Sequence, residues 1–419
     1  METMKIKLSE VIDDIAAGPF GSNLKVSCFV DYGFPIIDGA NLKGYKVTDN
    51  ITKFVTEEKA RSLHRSIAKR GDVVVTISGT LGQIAYIPTD SKFKEYLCSQ
   101  RQFRATFNPE RVYPPYLVFY FHTWEGKHKI LSFANQTGVP ALSQPLKNFK
   151  NIIIELPSIE VQKKIASFCE MLNDKIEQNN KINKNLAEQI KTICTAWLSD
   201  YAPFGGILPN DWSEMSLSSI ADFVNGYSYK GTELTESNIA MATIKNFDRK
   251  GGFKLDGYKE IIPSNKLKDT QHAELFDTLV AHTDLTQNAE VIGNAEPVMS
   301  KSGYDDIVFS MDLVKVVPKS KHISKFLIAA ILQDKKFKAH CLGYVNGTTV
   351  LHLSKKALPE YQLYLPDDLS VLKPLDELVT ALYQRISANI EEIIKLETLR
   401  DTLLPKLMSG ELDVSNIDL

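Results

Sequence analysis

The sequence has little of what marks secreted, membrane-spanning or metal-dependent proteins. Its five cysteines form no C-x-x-C pair and, being odd in number, cannot complete a disulfide framework, so reduced thiols are expected. No apolar run approaches the ~20 residues of a membrane span, and the start of the chain lacks the apolar core of a signal peptide. The eight histidines show no spacing typical of a metal site. These absences predict a cytoplasmic globular protein without a metal or cofactor of its own.

Two short stretches come closest to a catalytic or nucleotide-binding motif, and neither completes one. Residues 79–82 (Gly-Thr-Leu-Gly) offer two glycines but no Walker lysine and no G-x-G-x-x-G. Residues 113–116 (Tyr-Pro-Pro-Tyr) resemble the Asp/Asn-Pro-Pro-Tyr loop of adenine-N6 methyltransferases, but Tyr113 cannot replace the carboxamide or carboxylate that binds the target amino group. A turn from a strand into a helix is the better prediction for these four residues. A DNA methyltransferase remains the enzymatic alternative.

The whole chain is close to neutral, but its charge is unevenly spread. The formal net charge is −2. Residues 1–157 carry 20 basic and 15 acidic side chains, whereas residues 367–419 carry 5 and 11. A protein that binds nucleic acid through phosphate contacts alone is usually more basic than this. Any nucleic-acid role must therefore use local patches or a partner, and a coiled-coil adaptor without DNA contact stays open as a third hypothesis.

The strongest pattern in the sequence is an apolar stripe that occurs twice, 210 residues apart. In residues 159–197 it recurs at alternating steps of four and three, which predicts a coiled-coil helix. Residues 371–407 repeat it, with Asn389 corresponding to Asn179 and Arg400 replacing an apolar residue. An Asn in such a seam lowers stability but fixes register, so its replacement by Leu should raise the melting temperature. The predicted seam comprises Ile165, Leu172, Ile176, Asn179, Leu186, Ile190, Ile193, Leu375, Leu382, Ile386, Asn389, Ile393, Leu396 and Leu403.

Each stripe follows a segment of short apolar runs bounded by Gly, Pro, Asn and Asp, a pattern typical of strands and loops. Residues 217–222 match residues 8–13, and residues 348–354 match residues 137–143, so the chain is predicted to be a tandem duplication. The predicted fold class is α+β, with two pseudo-two-fold related globular α/β domains separated by two long helices packed as an antiparallel coiled coil. The predicted boundaries are a domain at 1–157, a helix at 158–200, a linker at 201–208, a domain at 209–366, a helix at 367–408 and a tail at 409–419.

Polar, Gly-punctuated loops lie at corresponding places in both halves, and such loops carry the side chains that recognise bases. The candidates in the first half are Ser22, Asn23, Lys25, Asn41, Lys43, Tyr45, Lys46, Ser78, Thr80, Gln100, Arg101 and Gln102. Those in the second half are Tyr227, Tyr229, Lys230, Lys245, Asn246, Arg249, Lys250, His282, Thr283, Gln287 and Asn288. An ordinary solvated turn is the alternative for each single loop.

Four motifs resemble those of the specificity (S) subunits of type I restriction-modification enzymes. Residues 18–22 (Gly-Pro-Phe-Gly-Ser) resemble the opening loop of that family, and residues 208–212 (Leu-Pro-Asn-Asp-Trp) resemble its lead into the second recognition domain. Residues 156–165 are similar to its entry into the first conserved helix, and residues 403–412 to its C-terminus. The corresponding segment before the second helix, residues 365–374, lacks the Glu-Gln pair of the family and carries a proline in the first turn.

The resemblance implies a non-catalytic DNA-recognition subunit. Two target recognition domains would each recognise one half of a bipartite, asymmetric DNA site, and the helices would set the gap between the halves. The implied partners are double-stranded DNA, two modification subunits that hold S-adenosylmethionine and methylate adenine, and ATP-dependent restriction subunits. The chain itself would hold no cofactor. The resemblance does not imply which bases are recognised.

Overall fold

The computed structural model describes residues 3–135 and 140–413, and it divides into two compact units. The first unit is Met1–Lys175 with Leu396–Leu419, and the second is Ile176–Lys395. Each unit combines one strand-rich region with a part of both long helices. In the part of the chain that is described, no helix is long and apolar enough to cross a membrane.

The first strand-rich region consists of short strands, of which β4, β7 and β8 are buried throughout. Its elements are β1 (Met4–Lys7), β2 (Ile12–Ala17), β3 (Phe29–Val30), β4 (Phe34–Ile37), β5 (Phe54–Val55), α1 (Glu57–Ser62), β6 (Ile67–Lys69), β7 (Val73–Thr76), β8 (Ile84–Tyr86), β9 (Glu95–Cys98), β10 (Gln102–Phe107), α2 (Pro114–His122), α3 (Trp124–Leu131), α4 (Pro145–Asn151) and β11 (Ile153–Leu156). The strands form sheets in the orders β1-β11, β2-β10-β7-β8 and β3-β5-β4-β9-β6. Strand β7 and helix α2 are apolar nearly throughout because both are covered on all sides.

Helix α5 (Ile159–Leu198) is the first of two long helices. The Ser158 hydroxyl accepts a hydrogen bond from Val161 N (3.4 Å) and so caps its first turn. The helix ends before residues 201–206, where Tyr201, Gly205 and Gly206 take positive φ values. In the first unit, Ile165 and Cys169 of this helix belong to the hydrophobic core of the strand-rich region.

The second strand-rich region repeats the strand order of two sheets of the first. Its elements, with the second long helix, are β12 (Trp212–Ser216), α6 (Leu217–Ile220), β13 (Ala221–Asn225), β14 (Ile239–Ala242), β15 (Lys259–Glu260), β16 (Thr278–Ala281), β17 (Thr283–Asp284), β18 (Ala295–Pro297), β19 (Asp306–Phe309), β20 (Leu313–Pro318), α7 (Lys325–Leu332), α8 (Lys335–Leu342), β21 (Val345–Asn346), β22 (Leu351–Leu353), β23 (Gln362–Pro366) and α9 (Lys373–Ser409). The sheet orders β12-β23 and β13-β20-β16-β18 correspond to β1-β11 and β2-β10-β7-β8, and the other sheets have the orders β15-β14-β19 and β17-β22-β21. The duplication predicted from the sequence is thus present in the topology, although residues 137–139 of one sequence match lie outside the described residues.

The long helices run antiparallel within each unit, which confirms the predicted packing. In the second unit the Asn389 side-chain amide donates to Asn183 Oδ1 (2.7 Å), and Asn179 donates to Glu392 Oε2 (2.8 Å), so residue numbers fall along α9 as they rise along α5. In the first unit, where α5 and α9 also meet, the core includes Leu404, Leu407 and Met408 of α9. Each strand-rich region is therefore packed against both helices.

The predicted seam residues are all buried or half-buried. Those that are buried are Ile165, Leu172, Ile176, Asn179, Ile190, Leu375, Ile386 and Asn389; those that are half-buried are Leu186, Ile193, Leu382, Ile393, Leu396 and Leu403. Arg400, the charged exception, donates to Asn173 Oδ1 (3.0 Å) and lies over the ring of Tyr45, 5.6 Å from its centroid. The Arg400 cation is stabilised there because the Asn173 amide oxygen accepts its hydrogen bond and the Tyr45 ring offers a cation–π contact.

A double-mutant comparison tests the hydrogen bond between Asn183 and Asn389. Asn389→Leu alone leaves the Asn183 amide without this partner, whereas replacing both residues by Leu removes both polar groups. We expect the single variant to lower the free energy of unfolding by about 1 kcal/mol, and the double variant to equal or exceed the wild type. From the sequence we expect replacement of one seam asparagine by Leu to raise the melting temperature. With the Asn183–Asn389 hydrogen bond in place, we expect that rise only when both residues are replaced. Urea unfolding of the full chain measures both variants, and a single variant as stable as the double one would contradict the contact.

Candidate nucleic-acid interface

In the first unit, backbone hydrogen bonds bring several predicted loops together around residues 99–102. Gly18 N donates to Gln102 O (2.8 Å), which joins the opening loop to this turn. Ile77 N donates to Arg101 O (2.7 Å), which joins the loop after β7 to the same turn. Because backbone groups hold these loops together, the exposed side chains on them remain available for contacts.

Residues 39–46 join this group through the side chain of Gln83. Its amide donates to Gly39 O (3.1 Å), and its Oε1 accepts from the Thr76 hydroxyl (3.1 Å) at the end of β7. Candidate side chains that are exposed on these loops are Ser22, Asn23, Lys25, Lys43, Thr80, Gln100 and Arg101, and Ser78 is half-buried. They include three cations and four amide or hydroxyl groups, the side chains that contact phosphates and base edges.

Two of the first-half candidates, Asn41 and Gln102, have their polar groups occupied within the unit. Asn41 is buried, and its amide donates to Thr48 O (3.3 Å) and Asn50 O (3.2 Å). Gln102 is also buried, and its Oε1 accepts from the Ser99 hydroxyl. These two side chains shape their loops instead of lying on the surface.

Tyr45 and Lys46 point toward the long helices. The Tyr45 ring packs against Phe119 (centroids 4.6 Å apart) and His122 (4.3 Å), and its burial raises the pKa of its hydroxyl. Lys46 Nζ lies 2.7 Å from Asp174 Oδ1 on α5. The structure therefore uses both residues to attach the strand-rich region to the helices of its own unit.

In the second unit, three candidate loops and one further turn converge in a similar way. Met311 N donates to Tyr227 O (2.9 Å), and His282 N donates to Asp312 O (2.8 Å), so residues 310–313 are flanked by the opening loop and by the loop after β16. Arg249 Nε lies 3.1 Å from Glu290 Oε2, which connects the 245–253 hairpin to the same group. The turn at 310–313 was not among the sequence candidates, although the 211-residue offset of the repeat aligns it with residues 99–102.

Burial separates the second-half candidates into two groups. Lys230, Lys245, Arg249, Lys250, Gln287 and Asn288 are exposed, and Tyr229 and His282 are half-buried, whereas Tyr227, Asn246 and Thr283 are buried. Asn246 accepts from Thr243 N (2.8 Å) and donates to Lys254 O (2.7 Å), so it shapes its turn as Asn41 does in the first unit. Burial lowers the pKa of His282 to about 4, which keeps this imidazole neutral.

Residues 284–294 form a long loop held by two charged side chains that the sequence did not single out. Asp284 accepts hydrogen bonds from Val291 N (2.6 Å) and Thr286 N (2.8 Å). Burial opposes ionisation of this carboxyl, but the hydrogen bonds outweigh it and hold its pKa below the usual range. Lys338 of α8 donates to the backbone oxygens of Ala289 (3.2 Å), Glu290 (3.2 Å) and Ile292 and to Asn294 Oδ1 (2.8 Å). The Asp284 carboxylate thus accepts from N–H groups of the loop, and the Lys338 ammonium donates to its carbonyl groups.

A buried carboxylate anchors the 245–253 hairpin. Glu296 of β18 accepts from Gly252 N (2.6 Å) and from the Gln333 amide (2.8 Å). Burial raises its pKa to about 7. The hairpin that carries Lys245, Arg249 and Lys250 is thereby joined to the sheet.

Residues 113–116 lie at the beginning of a helix and not in an open pocket. Tyr113 N donates to Gln162 Oε1 (2.9 Å), and the next two residues, both proline, form the first turn of α2. Tyr116 is fully buried in the core of the first unit. The geometry agrees with the turn predicted from the sequence and lends no support to the methyltransferase alternative.

Comparison with known proteins gives a consistent result. Residues 7–188 match the family model described as the Type I restriction modification DNA specificity domain. The Type I restriction enzyme MjaIX specificity subunit of Methanocaldococcus jannaschii is 21% identical over 434 residues, covering 98% of this chain and 94% of that protein. The MjaVIII specificity subunit of the same organism is 23% identical over 313 residues, covering 72% and 71%. The crystal structure of the S subunit of a type I restriction-modification system from M. genitalium shares the fold, with a TM-score of 0.57 at 15% identity and coverage of 97% and 96%.

Proposed function

We propose that this chain, which belongs to the family of type I restriction-modification specificity subunits, recognises a bipartite DNA site, with one half-site bound by each strand-rich region. The observation that carries the proposal is the repeated arrangement of loops. In both units, exposed cations and amides lie on loops that backbone hydrogen bonds hold around an equivalent turn. Two such surfaces in one chain suit two separate groups of bases.

The helix pair is proposed to set the spacing between the half-sites and to bind the modification subunits. Support comes from its length of 40 residues in α5 and 37 in α9, and from hydrogen bonds that fix the register in its interior. A helix of 40 residues is about 60 Å long. Such a spacer keeps the gap constant because a shift of register would break the asparagine hydrogen bonds.

The chain is proposed to recognise DNA in the cytoplasm and to leave the chemistry to its partners. Modification subunits would hold S-adenosylmethionine and methylate adenine, and restriction subunits would use ATP. Two observations on this chain support the assignment: Tyr116 is buried, and the Tyr113 backbone is occupied by Gln162. If the purified chain alone transferred a methyl group from S-adenosylmethionine to DNA, the enzymatic alternative would replace this proposal.

Selection from randomised duplexes tests the bipartite site. The full chain, with the modification subunits of its system, should enrich two short conserved sequences separated by a gap of constant length. Exchanging residues 209–366 for those of another specificity subunit should change one half-site and leave the other and the gap unchanged. Enrichment of one continuous sequence, or of none, would contradict the proposal.

The salt dependence of binding distinguishes DNA recognition from an adaptor role. Because several exposed lysines and arginines would contact phosphates, affinity should fall steeply as the salt concentration rises. Gel-shift titrations at several salt concentrations measure this slope. Tight assembly with the partner proteins without salt-dependent DNA binding would favour the coiled-coil adaptor.

A further inference from the structure

The turns at residues 99–102 and 310–313 are equivalent parts of the two units. The first connects β9 to β10 and the second connects β19 to β20. In the first, Gln102 N donates to Ser99 O (3.1 Å); in the second, Leu313 N donates to Ser310 O (2.9 Å). Position by position, Gln100 therefore corresponds to Met311, and Arg101 to Asp312.

Both turns are fixed by a glycine that lies against their first carbonyl group. A Cβ atom built on Gly18 would lie 1.8 Å from Ser99 O, and one built on Gly226 would lie 2.0 Å from Ser310 O. Only glycine permits this approach. A neighbouring loop supplies a further restraint in each unit, through the hydrogen bonds to the carbonyl groups of Arg101 and Asp312. The backbone at each turn is rigid, so the identity of its outward side chains decides what it can bind.

The outward side chains differ completely between the two turns. In the first unit Gln100 and Arg101 are both exposed and offer hydrogen-bond donors and an acceptor. In the second unit Asp312 is half-buried, its Oδ1 accepts a hydrogen bond from the Thr283 hydroxyl (2.9 Å), and its carboxylate offers no donor. Met311 is 55% exposed and has no polar group except its thioether. The second turn thus presents an apolar contact where the first presents polar ones.

Thymine is the one standard base that offers an apolar group in the major groove, its 5-methyl group. A thioether side chain on a restrained turn can discriminate thymine from the other bases by contact with that methyl. It cannot replace the bidentate contacts that Gln or Arg make to purines. We propose that Met311 contacts the 5-methyl group of a thymine in the half-site recognised by the second unit. This inference rests on the proposed function and adds to it the chemistry of one recognised position.

Replacement of thymine by uracil tests the contact because it removes only the methyl group. Once selection has given the bipartite site, each thymine of the second half-site, in both strands, is replaced in turn by deoxyuridine. For the wild-type protein, one such replacement should weaken binding about three- to tenfold. For Met311→Gln the same replacement should have no effect, while replacements in the first half-site act alike on both proteins.

Ile262→Gln is the matched control. Ile262 lies in the same unit, is also 55% exposed and belongs to none of the converging loops. This variant should keep the wild-type ratio of thymine to uracil affinity at every position. A second half-site without thymine, or equal ratios for the wild type and Met311→Gln, would overturn the inference and leave the bipartite function intact. Failure to select any bipartite site would instead refute the proposed function.

Discussion

Gly18→Ala should abolish recognition of the first half-site and lower the stability of the first unit by about 3 kcal/mol. The physical reason is that its Cβ would lie 1.8 Å from Ser99 O and 3.1 Å from Gln102 O, both backbone atoms that cannot rotate away. The turn that carries Gln100 and Arg101 would have to move. Urea unfolding measures the stability, and gel shifts on duplexes altered in one half-site measure the recognition.

Gly226→Ala should have the corresponding effect on the second half-site, since its Cβ would lie 2.0 Å from Ser310 O. Gly44→Ala and Gly231→Ala are the matched controls, because nothing lies within 4 Å of a Cβ at either position. Both controls should stay within about 0.5 kcal/mol of the wild type. Should Gly18→Ala impair both half-sites equally while the protein remains folded, the two turns would not act independently.

Lys338→Met should loosen the 284–294 loop and reduce binding to the second half-site at least tenfold. The ammonium donates to three backbone oxygens and to Asn294 Oδ1. A methionine of similar length leaves these acceptors without their cation. We expect a loss of about 3 kcal/mol in the free energy of unfolding, together with faster hydrogen exchange at residues 284–294.

Lys335→Met, on the exposed face of the same helix, is the control for removing one positive charge. It should change neither the exchange rates of the loop nor the preference for the second half-site. Binding that falls equally for both variants would mean that Lys338 acts through its charge alone and not by holding the loop.

The long helices could be predicted from the sequence because the contacts that create them leave a direct periodic signal. Residues that meet in the seam recur every three or four positions, so burial is visible in the order of residue types. The partners of the strands leave no such signal. Strand β14 pairs in parallel with β19, which lies more than 60 residues later, and nothing local to Ile239–Ala242 specifies that choice.

The positions of the polar loops could also be predicted, but not which of their side chains are exposed. Asn41 and Asn246 occur in polar, glycine-containing stretches, as an adenine-contacting asparagine would, yet both hold their own turns by hydrogen bonds. The distinction depends on where the side chain points, which the residue type does not encode. Two other residues do not fit the pattern of polar loop candidates. Lys338 lies on a helix distant in sequence from the loop it holds, and Met311 is apolar.

The first unit is formed by two separate segments of the chain, which affects how it can fold during synthesis. Its core contains Leu404, Leu407 and Met408 together with residues such as Ile6 and Leu8, so segments far apart in the sequence belong to one folded body. The second unit is a single continuous segment, residues 176–395. On the ribosome the second unit can therefore assemble once residues 176–395 have been made, whereas the first strand-rich region, although made before it, lacks its partner from α9 until residues 396–408 have been added. A prematurely terminated product would keep an incomplete N-terminal body with an uncovered apolar face, a substrate for proteolysis instead of a subunit with one working half.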